Sequence, residues 1–173
     1  MRLGHVQKTE WRRILDDLVL PQGPISSEAL LREYVRQARG SQLVIDRDAE
    51  VATPGGPSGM WLPSNGIDLV WVHPSATGVQ FDQIIGHEMG HMVNGDQPEQ
   101  IDLRDLVKLL ASTCKHTSPD LWASATCRTI FDEARERRAE EFSYFTSRWL
   151  QTQPATDKLL ANMREALDTR GTW

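Results

Sequence analysis

Along most of this chain apolar residues recur three and four positions apart, the spacing that gathers them on one face of a helix. Trp11, Ile14, Leu15, Leu18 and Val19 predict a first helix over residues 7–19, which Pro21-Gln-Gly-Pro24 breaks. Ser26 or Ser27 can cap a second, with Leu30, Leu31, Tyr34, Val35 and Ala38 recurring along it and Gly40 at its end. Leu103, Leu106, Val107 and Leu110 mark another over 101–110, and Leu159, Leu160, Met163 and Leu167 a last one over 155–169. Residues 127–150 contain neither Gly nor Pro and read as one long helix. Ile130, Ala134, Phe142, Phe145 and Trp149 can face a core there, beside a stripe formed by Glu133, Glu136, Glu140 and Tyr144.

One region carries a β signal. Residues 59–64 and 67–72 flank Asn65-Gly66, the preferred two-residue hairpin turn. That turn pairs Leu62 with Leu69 and Met60 with Trp71 on one face, and Trp61 with Val70 on the other. Residues 42–46 are a further short strand candidate, and the Pro- and Gly-rich stretch 52–57 is a loop. Which strand of the hairpin is the exposed edge is left open by the pattern.

The second hairpin strand runs almost directly into a helix over 77–93. Thr77 and Gln80 suit a capping box at its start, Pro74 keeps the preceding chain out of it, and Asn94-Gly95 signals its end. Val79, Phe81, Ile84, Ile85, Met89 and Met92 lie on more than one face, as befits a buried helix. Within it stands His87-Glu88-Met89-Gly90-His91, an H-E-x-x-H motif. Residues four apart share a helix face, so both imidazoles can reach one ion. Zn²⁺ favours such nitrogen donors, and a catalytic site keeps three protein ligands and one open position. Glu88 then takes the place of the general base that handles water.

A third ligand is needed. The carboxylate stripe of the long downstream helix offers Glu133, Glu136 and Glu140, among which spacing does not choose; the other reading of that stripe is a solvated face of Glu–Arg pairs. His116, in the polar stretch 112–119, is a further donor or a candidate for stabilising a tetrahedral intermediate, a role also open to Tyr144.

The pairing of H-E-x-x-H with the later Glu136-Arg-Arg-Ala139-Glu140-Glu-Phe142-Ser143 resembles the ImmA/IrrE family of small zinc metallopeptidases, whose second helix reads E-x-x-A-[N/D]-x-F-A. The likeness spans about residues 25–150. It departs from the pattern at Glu140, where Asn or Asp is usual, and after Phe145, where a Leu-Leu-x-Pro ending is missing. The resemblance implies a gluzincin-like site with zinc on His87, His91 and Glu136 and with Glu88 as base. It also implies that Glu140 orients His87 from behind. Members of this family typically cleave a helix-turn-helix transcriptional repressor, which makes such a repressor the implied substrate. The alternative is a protein that grips a regulator without cutting it, as an antirepressor or toxin–antitoxin component.

Size and composition fit one domain. The 173 residues are 39% hydrophobic and 25% charged, ordinary globular values. The expected fold is therefore α+β: a mainly helical single metallopeptidase domain, with a small antiparallel sheet beside the zinc helix. Its core spans about 25–150, with helical extensions at both ends. A net charge of −5 argues against direct nucleic-acid binding. No apolar leader or membrane-spanning run is visible, so a soluble cytoplasmic protein is expected. Cys114 and Cys127 have neither metal-finger nor redox spacing and receive no role.

Overall fold

The computed structural model describes residues 5–47, 57–64, 66–96 and 133–153. The predicted helices over 101–110 and 155–169, the first residues of the 127–150 helix, His116 and both cysteines lie outside them. The described chain forms α1 (His5–Asp16), α2 (Ser27–Tyr34) with a π-helical extension (Val35–Arg39), and β1 (Gln42–Asp46). It continues through β2 (Gly59–Ser64), β3 (Ile67–Val72), α3 (Gly78–Val93) and α4 (Glu133–Gln151). None of these helices is long and apolar enough to cross a membrane.

The three strands form one sheet in the order β1-β3-β2. β2 and β3 are the predicted hairpin, in the predicted register: Met60 faces Trp71, Trp61 faces Val70 and Leu62 faces Leu69. Gly66 closes the turn at φ 76, a backbone angle that suits glycine. The sheet is mixed, however, and not purely antiparallel, because β1 lies parallel to β3 on its far side. Among the described residues β3 is therefore the central strand and β2 an edge. The run Leu69-Val-Trp-Val72 has no alternation because both faces of β3 are covered. His73 N–H donates to Ser58 C=O, so by antiparallel alternation residues 59, 61 and 63 turn their backbone groups to the open edge.

The helices cover one face of this sheet. Trp61, Val70 and Val72 pack in one core with Leu30 and Leu31 of α2, Val35 of its π-helical extension, Ile85 and Met89 of α3, and Phe142 of α4. α1 joins the same core: Trp11 and Leu15 are buried, and Trp11 stands edge-on to Phe142 at 5.2 Å. The helix stops at Asp16, short of the predicted end, and Asp16 accepts a hydrogen bond from the Trp149 indole at 2.8 Å. Val19 points to solvent, while the Gln37 side chain holds its backbone N–H and C=O. Ser26 is the cap of α2, its hydroxyl accepting from Ala29 N–H at 3.1 Å.

One buried charge ties α2 to the sheet. Asp68, 1% exposed on β3, accepts two hydrogen bonds from Arg39 at 2.8 and 2.9 Å and a third from the Trp61 indole at 2.8 Å. The Arg39 guanidinium also lies 4.9 Å from the Trp61 ring centroid. The π-helical turn and Gly40, at φ 65, deliver Arg39 to this position. Asp68→Ala strands a partly buried guanidinium and an indole N–H, so a loss of about 3–5 kcal/mol is expected in urea unfolding. The combined Arg39→Met, Asp68→Leu replacement is expected to cost less than Asp68→Ala alone.

Candidate metal centre

The site is built where α3 meets α4, and glycine lets them meet closely. A Cβ at Gly90 would lie 2.8 Å from Ala139 Cα and 2.9 Å from its carbonyl oxygen. One at Gly86 would lie 2.8 Å from Ser143 Oγ and 3.2 Å from Ser143 Cα. The two backbones thus run antiparallel in contact, pinned by the Ser143 hydroxyl donating to Gln83 C=O at 2.9 Å. His87 and His91 flank this seam on α3, and Glu136 arrives beside them from α4.

The three side chains converge. His87 Nε2 and His91 Nε2 are 3.1 Å apart; Glu136 comes within 3.2 Å of the first and 3.7 Å of the second. Ligand atoms about 2.0–2.2 Å from a tetrahedral ion are themselves about 3.3–3.6 Å apart, so this spacing fits three corners of a zinc site. One such set of donors occurs among the described residues.

The end of α3 prepares one of these ligands. Gly95, at φ 65, closes the helix in a Schellman turn: its N–H bonds Met92 C=O, and Asp96 N–H bonds His91 C=O at 3.0 Å. Asp96 is folded back over the last turn, with one carboxylate oxygen 3.0 Å from His91 Nδ1. Arg138 of α4 donates to the other oxygen at 3.0 Å. Burial holds the His91 imidazole neutral, its pKa down at about 4 although Asp96 pulls the other way. With Nδ1–H on Asp96, the Nε2 lone pair faces His87 and Glu136, ready for a metal.

Glu88 lies on the opposite flank against β2. The strand comes so close that a Cβ at Gly59 would stand 2.3 Å from Ile84 Cγ2 and 2.8 Å from Glu88 Oε1. Burial, then the Glu136 charge, push the Glu88 carboxyl up to about 8, opposed by a hydrogen bond from Trp61 N–H. A cleft of about 490 Å³ opens over the site, with Gly59 and Met60 on one side and Glu136, Glu140 and Tyr144 on the other.

Four predicted site residues, His87, Glu88, His91 and Glu136, therefore meet. Glu133 does not join them; it is exposed and pairs with Arg137 at 2.7 Å. Glu140 is exposed on the cleft wall, and no hydrogen bond joins it to His87 in the described residues; Asp96 is the carboxylate bonded to a histidine there, at His91. Tyr144 is on the cleft wall and 56% exposed. His73 bonds Ser75 and stays out of the cleft. The capping box at Thr77 also fails to form. Arg47 instead holds the preceding turn, donating to the carbonyls of Pro74 and Ala76. Asp96 could have been found from Asn94-Gly95, since a glycine-closed Schellman turn brings the residue after the glycine back over the last turn.

Comparison of the chain with protein-family models, curated proteins and solved structures found no match.

Asp96→Asn is expected to weaken the binding of a metal ion at this centre about 10- to 100-fold in competition with a chelating dye. The metal-free protein also acquires a signed pH dependence. Glu88, raised from 4.5 to about 8, contributes stability that is whole below pH 4.5 and fades as pH climbs towards 8. His91, lowered from 6.5 to about 4, contributes above pH 6.5 and loses its share as pH falls towards 4. The melting temperature without metal is therefore expected to fall between pH 6.5 and 8, and Glu88→Gln to flatten that fall.

Proposed function

We propose that this chain is a zinc-dependent endopeptidase of the ImmA/IrrE type that cleaves a helix-turn-helix transcriptional repressor. The observation that carries the reading is the convergence of His87, His91 and Glu136 beside a buried glutamate, on the wall of an open cleft. His87 and His91 offer neutral nitrogen, Glu136 a carboxylate, and Asp96 keeps His91 in the tautomer a metal requires. A Zn²⁺ ion held there supplies Lewis acidity, polarising a peptide carbonyl and acidifying water.

The protein's own groups supply the proton handling. Glu88 takes a proton from water at its carboxylate and delivers it to the leaving amide nitrogen. Its burial suits it to hold that proton, and the Trp61 N–H fixes the carboxylate's direction. Tyr144 stands on the cleft wall, where its phenol can donate to the carbonyl oxygen as negative charge builds there. Net charge and the absence of a basic motif favour a protein target over nucleic acid. The repressor itself is supplied by the family resemblance.

Purified wild type and Glu88→Gln are expected to carry about one zinc per chain, and Glu136→Ala to lose it. With a helix-turn-helix repressor encoded beside it as substrate, Glu88→Gln is expected to cut cleavage by at least about 100-fold. Unchanged cleavage by Glu88→Gln, or no zinc in reconstituted wild type, would sink the peptidase reading. A repressor bound equally by both forms and cut by neither would point to an antirepressor or toxin–antitoxin role.

A further inference from the structure

The cleft over the metal centre does not end at Tyr144. A second depression of about 340 Å³ begins on the other side of Tyr144 and Gln83, which border both. Together they make one groove along the α3–α4 seam. It runs from His91 and Glu136 at one end to Val79 and Gln151 at the other. The far depression has an apolar lining of Ile25, Val79 and Leu150. Val79 is 73% exposed, so its methyl groups are open to whatever enters this depression.

Charge along this groove has one sign among the described residues. Glu140 borders the near cleft and Asp82 the far depression; no Lys or Arg borders either. Glu28, Glu33, Glu133, Asp68 and Asp96 each hold an arginine elsewhere in the fold. Among the described residues, Glu140 and the half-buried Asp82 hold none. A carboxylate at the rim of an apolar pocket matches a side chain with an aliphatic stem and a cationic tip, which is lysine or arginine.

Resting on the peptidase reading above, we propose that the far depression is a specificity pocket. A substrate segment crossing the metal centre past Tyr144 places a Lys or Arg side chain there, its stem on Val79 and Leu150 and its charge on Asp82. Glu140 favours a second basic residue nearer the scissile bond. The preference suits a nucleic-acid-binding substrate, whose surface must carry such residues.

The test uses zinc-loaded Glu88→Gln full chain, so that binding is read without cleavage. Short fluorescein-labelled peptides, alike except for Lys, norleucine or Glu at alternate positions, are titrated by anisotropy at about 0.15 M salt. The Lys peptide is expected to bind about fivefold tighter than the norleucine peptide, and the Glu peptide weakest. Asp82→Asn is expected to remove most of the Lys advantage, and Asp82→Lys to turn the preference towards Glu. Glu10→Gln, the same charge change on the outer face of α1, is expected to alter nothing. Equal binding of Lys and norleucine peptides, or a Lys preference that survives Asp82→Lys, overturns the pocket. So does tighter binding of the Glu peptide, which would show that the helix ends of α2 and α3 govern the field. Cleavage of the Lys peptide by zinc-loaded wild type but not by Glu88→Gln is read separately and bears on the peptidase reading alone.

Discussion

Two helix backbones touching side by side are the condition for everything else in the site. Gly86 and Gly90 on α3 leave no side chain between that helix and Ala139 and Ser143 on α4. Helices separated by ordinary side chains sit about 8–10 Å apart, and a glutamate from the second helix would then reach the first with little choice of position. Here the seam sets both the depth and the rotation of α4. Glu136 is turned towards the imidazoles, Glu133 falls one turn short and faces solvent, and Glu140 lies on the open wall. A methyl group at Gly90 meets backbone atoms at 2.8–2.9 Å, where no side chain can swing aside.

α4 acts on the centre twice. It supplies Glu136 directly, and through Arg138 it fixes the Asp96 carboxylate that aligns His91. Glu136 and Arg138 come from one rigid element, two residues apart, so they move together. Binding an ion across α3 and α4 therefore also holds the two helices together, and metal affinity contains part of the folding energy of the seam.

How much of this was legible from residues alone depended on how local each feature is. H-E-x-x-H could be read because its geometry is set by a single helix. The hairpin could be read, down to its register, because Asn65-Gly66 forces a two-residue turn. β1 could be recognised as a strand, but its parallel place beside β3 depends on how a distant connection packs. The choice of Glu136 among three carboxylates needed the rotation of α4, which no spacing within that helix contains; the family resemblance supplied it instead. Asp96 was missed because it lies beyond the helix end, and its role appears only when the Schellman turn folds it back. Thr77 and Gln80 have the composition of a capping box and mark the correct boundary, yet Arg47 from the end of β1 performs the local anchoring.

The outer edge of β2 shows what the same economy does for the protein in solution. An open strand edge is an invitation to pair with another chain, and proteins that leave one bare risk aggregating. Of the three residues turned outward, Pro63 has no N–H to offer, Trp61 has given its N–H to Glu88, and Gly59 lies within the cleft. A neighbouring molecule thus finds too few donors to extend the sheet. The strand that steadies a proposed catalytic base is, for that reason, a poor template for fibrils.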